Sequence, residues 1–132
     1  MKNRFFLFII FISVLFFGCD AAINMQGKVA SLSSGKFFYQ DGNLISEYKA
    51  DMDPVWTACE KTVADLRAKD VRKERTISRG IIKAVIEQEK VVIKVEYVDR
   101  GLTSVSVFTG TVGNNMASRL IHDKIVSNLA KN

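Results

Sequence analysis

The chain has 132 residues, of which 48% are hydrophobic, and it carries 19 basic and 14 acidic side chains. This length suits one domain with a single core, so two domains are not expected. The basic surplus is small, whereas nucleic-acid binding needs a concentrated basic stripe, so no nucleic-acid partner is predicted. One histidine and two cysteines are too few for a structural zinc site, and neither a metal nor another cofactor is predicted.

The first residues have the pattern of an export signal. Lys2 and Arg4 give a positive start, and residues 5–17 form an apolar run that a glycine, a cysteine and an aspartate end at 18–20. The run is shorter than the roughly 20 apolar residues that a membrane-spanning helix needs. A signal peptide at 1–18 is therefore predicted.

This start resembles a bacterial lipoprotein signal, in which the cysteine after the apolar run receives a lipid and becomes the first mature residue. The resemblance implies that Cys19 is lipidated and anchors the protein to a membrane of the bacterial cell envelope, facing the periplasm. Ordinary cleavage after Ala21, with a mature end at Ala22, is the alternative.

Residues 19–41 are small, polar and aperiodic, and they are predicted to be the lipidated N-terminus and a tether. Phe37, Phe38 and Tyr39 interrupt this segment. These aromatic residues either touch lipid headgroups, start the first strand or pack on the domain edge. A single folded domain is expected at 42–132.

The domain shows two hydrophobic periods, an alternation typical of strands and a spacing of three and four typical of helices. In chain order the pattern predicts a strand at 44–49, a helix from 53 to about 70, strands at 71–78, 81–87, 91–97 and 102–109, and a helix at 116–130. The predicted fold is α+β, in the order β-α-β-β-β-β-α. Two helices are expected to pack on one face of an antiparallel sheet of four to five strands, because the strands have one polar face.

The two predicted helices carry most of the residues that invite a chemical interpretation. Asp53 is expected to cap the first helix, and Cys59 lies on its apolar stripe, which favours a buried side chain over a reactive thiol. His122 and its sequence neighbour Asp123 do not face each other on a helix, so they do not form a catalytic pair. His122 is therefore predicted to be a surface residue. Residues 110–114 favour a turn with an Asn cap over an anion site, because the lysine of a P-loop is missing.

A basic cluster runs through the weakest strand candidate. Its central residues Arg72, Lys73 and Arg75 are candidates for contact with an anionic membrane surface. The alternative is a charged edge strand, on which such residues discourage pairing between sheets.

The chain resembles a family of small, uncharacterised bacterial lipoproteins, domain of unknown function 3568. The residues that carry the resemblance are the signal ending at Cys19, Gly42-Asn43-Leu44, Asp53-Pro54-Val55-Trp56, the strand at 101–107 and Gly110-Thr111-Val112-Gly113. The family implies no activity, because none of these motifs is catalytic.

These observations predict a membrane-anchored envelope protein that is not an enzyme, has no catalytic residue and binds or scaffolds another envelope protein. The alternative is a carrier that holds an apolar ligand between the sheet and the C-terminal helix. Its cavity would be lined by Trp56, Ile93, Val105 and Leu120. A closed core with an exposed patch would favour the binding module instead.

Overall fold

A computed structural model describes residues 33–132, with side chains from Phe37 onward. Cys19, the predicted signal peptide and the first part of the predicted tether lie outside the described residues. The described elements are β1 (Ser33–Gln40), β2 (Asn43–Tyr48), α1 (Met52–Asp65), β3 (Lys69–Arg75), β4 (Arg79–Ile86), β5 (Glu89–Asp99), β6 (Leu102–Thr109) and α2 (Asn115–Leu129).

The strands form one antiparallel sheet of six strands in the order β1-β2-β6-β5-β4-β3. Strands β3 to β6 follow one another as a meander, while β2 pairs with β6 across the intervening sequence. The predicted α+β class and the order from β2 to α2 are confirmed. The sheet has one strand more than the four to five predicted.

The additional strand, β1, lies inside the segment that we predicted to be the tether. Residues 37–40 pair with β2 through a turn in which Asp41 and Gly42 have φ of 52° and 80°. Two successive left-handed residues of the Asp-Gly type make the tight turn that joins hairpin strands. The turn signal at 41–43 therefore joins two strands, whereas the sequence pattern predicts a domain boundary there.

The core lies between one face of the sheet and the two helices, as predicted. Alternate strand residues point into it, because successive side chains of a strand face opposite sides of the sheet. Fully buried examples are Tyr48, Ile82, Ile93, Val95, Val105 and Val107. The other face of the sheet carries half-exposed and exposed residues such as Lys83, Lys94 and Ser106.

Helix α1 is held to the sheet by Trp56, which packs against a glycine. A Cβ atom on Gly80 of β4 would lie only 2.3 Å from Cζ3 of Trp56. The helix begins at Met52 with Asp51 in the N-cap position, and Asp53 forms an ion pair with Arg75 of β3. The prediction that Asp53 caps the helix is therefore wrong.

Helix α2 buries a face that is partly polar. Asn114 caps it by accepting a hydrogen bond from the Ala117 N–H at 3.1 Å, as predicted. The apolar spacing of this helix predicts that Met116 and Leu120 lie on its buried stripe, but they are 77% and 64% exposed. The helix is rotated away from the purely hydrophobic stripe because hydrogen-bonded polar residues occupy its buried face. These residues are Ser118, His122 and Asn128.

The β1–β2 turn packs closely against the loop before α2 through two glycines. A Cβ atom on Gly113 would lie 2.5 Å from Cα of Gly42, and both residues have positive φ. Both positions thus require glycine for backbone conformation and for close approach. The glycines that carry the family resemblance at 42 and 113 serve this contact.

Candidate binding surfaces

The single histidine of the chain lies in the core, so the prediction of a surface residue at His122 is wrong. Its Nε2–H donates to the Leu44 carbonyl at 2.8 Å, and its Nδ1 lies 2.6 Å from the Tyr48 hydroxyl. Because a carbonyl oxygen only accepts, Nδ1 of the neutral ring accepts the Tyr48 proton. Helix α2 is thereby fixed to β2 by both nitrogens of one ring.

Burial lowers the pKa of His122 from 6.5 to about 4, against the smaller opposing effects of the Leu44 hydrogen bond and Asp123. Burial also raises the pKa of Tyr48. Phe37 packs edge-on against the histidine ring, and the Arg119 guanidinium lies 4.0 Å from the Phe37 ring centre. Phe37 therefore covers one side of the histidine ring, so β1 helps to exclude water from it.

Cys59 is fully buried on α1, which confirms the interpretation of this residue as part of the core. Burial raises the pKa of its thiol, and the neighbouring Glu60 adds to the shift. A thiol held in this state is a poor nucleophile, because the thiolate is the reactive form.

The four residues of the predicted ligand cavity do not line one space. Trp56, Ile93 and Val105 are buried members of the closed core, with exposures of 6%, 0% and 0%. Leu120 lies at the surface and lines a groove beside the core. Trp56, Ile93 and Val105 therefore pack in the core between the sheet and the helices, apart from the groove that Leu120 lines.

This groove, the distal groove, has a volume of about 360 Å³ and lies between the start of α2, the end of α1 and the β4–β5 turn. Its apolar lining residues are Leu66, Ile86, Val91, Ala117, Leu120 and Ile121. Glu87 and Glu89 of the same turn add two carboxylates to the lining. The distal groove is thus an apolar depression with acidic side chains beside it.

The spacing of two apolar residues in α2 is a sequence signal for this groove. Met116 and Leu120 are separated by four residues, so they share a helix face, and both remain exposed. Leu120 lines the groove together with residues from the end of α1, the β4–β5 hairpin and the end of β6. Their meeting depends on the sheet register, which the sequence pattern does not specify.

The basic residues of β3 are divided between the two faces of the sheet. Lys73 and Arg75 point to the helix side, where they pair with Glu60 and Asp53 of α1. Arg72 lies opposite Lys83 in the register of β3 and β4, and both side chains are on the other face of the sheet. The predicted cluster of Arg72, Lys73 and Arg75 is therefore not one continuous surface, and β3 is a charged edge strand.

Within residues 33–132, no group of histidine, cysteine, aspartate and glutamate side chains could hold a metal ion. None of the helices described is both long enough and apolar enough to cross a membrane. A family model described as "Protein of unknown function (DUF3568)" matches residues 4–128. A search of curated proteins gives no match.

Proposed function

We propose that this chain, which belongs to the DUF3568 family of proteins of unknown function, is a lipid-anchored module of the bacterial cell envelope. In this proposal its role is binding. In this proposal Cys19 carries the lipid, the domain faces the periplasm, and the distal groove binds another envelope protein. The groove is the observation that carries the binding role.

The distal groove supports binding because it keeps apolar side chains in contact with water. Leu120 is 64% exposed and Met116, one turn earlier on α2, is 77% exposed. Apolar residues grouped around a depression are typical of sites where a partner is bound. Glu87 and Glu89 favour a partner segment that combines apolar residues with a basic one.

A role without catalysis is supported by the positions of the residues that most often act as base or nucleophile. His122 has both ring nitrogens in hydrogen bonds inside the core. The Cys59 thiol is fully buried with a raised pKa. Both side chains therefore contribute to the fold and are closed to a substrate.

The second candidate is a carrier of a small apolar ligand. The distal groove of about 360 Å³ falls in the size range of small-molecule sites. It lies beside the C-terminal helix, where the carrier hypothesis expects the ligand.

Photo-crosslinking in cells separates these two functions. A benzophenone amino acid at position 120 of the full chain samples the distal groove, and the same residue at the exposed position Lys83 on the open sheet face is the matched control. A discrete protein adduct at 120 that is absent at 83 and reduced by Met116→Glu supports the binding module. An adduct with the mass of a lipid supports the carrier, and identical or missing adducts at both positions contradict both functions.

The lipid anchor is tested with the two cysteines of the chain. A clickable fatty acid should label the wild-type protein and the Cys59→Ser variant, whereas Cys19→Ser should remain unlabelled. An unlabelled wild-type protein whose mature end is Ala22 would contradict the anchor.

A further inference from the structure

The strand register shows at which end of the sheet the described chain begins. Ser33, where the described chain begins, pairs with Tyr48, which pairs with Thr103, which pairs with Tyr97. The Tyr97 N–H donates to the Ser78 carbonyl at 2.9 Å. One row of backbone thus connects the start of β1 to the β3–β4 turn, and we call this the proximal end.

The proximal end exposes apolar side chains. Ile77, in the β3–β4 turn, is 97% exposed, and Tyr97 and Val98 are 52% and 45% exposed. Ile77 and Tyr97 border an open depression of about 690 Å³. Turns usually carry small polar residues, so an exposed isoleucine is unusual in this position. Removing its apolar side chain from water would lower the free energy.

Four acidic side chains near this end contact groups of the domain itself. The pairs are Asp53 with Arg75, Glu96 with Arg79, Asp51 with the N–H of Gly101, and Asp99 with the N–H of Arg100. Two of these carboxylates form ion pairs with guanidinium groups, and the other two accept hydrogen bonds from backbone N–H groups. The two ion pairs reduce the repulsion that their carboxylates exert on anionic headgroups.

We propose that the proximal end rests on the membrane surface, with Ile77 among the lipid headgroups and Tyr97 at the boundary with water. The proposal rests on the lipid anchor proposed above. Residues 19–33 span at most about 50 Å when extended, so the anchor allows this contact and does not enforce it. An anchor and an apolar tip act together, because the anchor raises the local concentration of the tip at the bilayer. Tyrosine is enriched at this boundary, because its ring is apolar and its hydroxyl is polar.

The contact is measured with an environment-sensitive fluorophore on single cysteines introduced into the full, membrane-purified protein. Ile77→Cys reports on the proximal end, and Val112→Cys, which is 84% exposed in the loop after β6, reports on the opposite end. Cys59 is fully buried and does not compete for the label in folded protein. The vesicles contain phosphatidylethanolamine, phosphatidylglycerol and a lipid with a quencher near its headgroup.

We expect the fluorescence at 77 to lose most of its intensity and the fluorescence at 112 to change little. With the probe on Val98→Cys, the additional change Ile77→Glu should reduce the quenching, while circular dichroism shows the fold unchanged. Equal quenching at 77 and 112, no quenching, or no effect of Ile77→Glu overturns the surface contact in protein whose intact mass includes the lipid. An intact mass without lipid overturns the anchor and, with it, the contact that depends on it.

Discussion

His122 connects α2 to β2 through a buried hydrogen-bond pair, and it does so as a neutral ring. Its Nε2–H reaches the Leu44 carbonyl and its Nδ1 accepts from Tyr48. Protonation of Nδ1 would remove this acceptor and place a charge in the core. The fold therefore favours the neutral form, which agrees with a pKa lowered to about 4.

The free energy of unfolding should depend on pH through this residue. The unfolded chain binds a proton with the ordinary pKa of 6.5 and the folded chain with a pKa of about 4. The contribution of His122 to the free energy of unfolding is therefore complete above about pH 6.5. It falls by a total of about 3 kcal/mol as the pH decreases towards 4. Urea unfolding between pH 4.5 and 7 measures this slope.

The control is His122→Gln, which keeps a donor and an acceptor but does not titrate. Because the chain has one histidine, the slope between about pH 5 and 6.5 should largely disappear in this variant. A wild-type stability that is constant over that interval would contradict the buried neutral ring.

Tyr48→Phe tests the other half of the pair. Removal of the hydroxyl leaves Nδ1 of His122 buried without its donor, which should cost about 1 to 3 kcal/mol of unfolding free energy. Tyr97→Phe is the matched control, since its ring is half-exposed and its change should be within about 0.5 kcal/mol. Equal losses of unfolding free energy in the two variants, measured by urea unfolding, would contradict a stabilising role of the Tyr48 hydroxyl.

At the scale of elements, α1 packs on β4 through Trp56 and Gly80. Gly80→Ala should cost about 1 to 3 kcal/mol, because the new methyl group would overlap the indole ring. The cost should shrink in a Trp56→Leu background, where the ring is absent. Emission of the single tryptophan should shift to longer wavelength in Gly80→Ala. Trp56→Ala alone should cost about 3 to 5 kcal/mol.

Equal costs of Gly80→Ala in both backgrounds would contradict the contact. A double-mutant cycle makes this comparison, because it isolates the coupling between the two residues from their separate effects.

The elements that the sequence predicted best are those with an unmixed pattern. Strands β5 and β6 alternate apolar and polar residues, so the sheet and its covered face could be predicted from them. Strand β1 is only one of the alternatives for its aromatic residues in the sequence, because they lie in a polar stretch and the partner strand is visible only through the turn at Asp41 and Gly42. The sequence pattern misplaces the buried face of α2 because the His122 ring and the Asn128 amide nitrogen form hydrogen bonds inside the core.

The distal groove could be predicted even less well. It is formed by side chains from α2, the end of α1 and strands β4, β5 and β6, and a pattern along one element does not show which others lie beside it. The sequence indicated that Leu120 is apolar, whereas its exposure depends on the rotation of α2 over the sheet. Sites of this kind arise from register and packing, and a single sequence contains neither directly.

For the molecule as a whole, the sheet order predicts how local stability is distributed. Strands β5 and β6 are flanked by strands on both sides, whereas β1 and β3 are edges. Amide hydrogen exchange should be slowest in β5 and β6 and fastest in β1 and β3, because edge strands open without unfolding the centre. Protection in β3 equal to that in β5 would contradict this order.

The pairing of β2 with β6 has a consequence for the order of folding. Asn43 and Ser106, whose side chains bond at 3.0 Å, are separated by 63 residues. During synthesis from the N-terminus, β1, β2 and α1 emerge long before the strand that completes their sheet. Contacts of such sequence separation form slowly. We therefore expect that a chain exported through a narrow channel behind the predicted signal peptide crosses it unfolded and completes its sheet only on the far side.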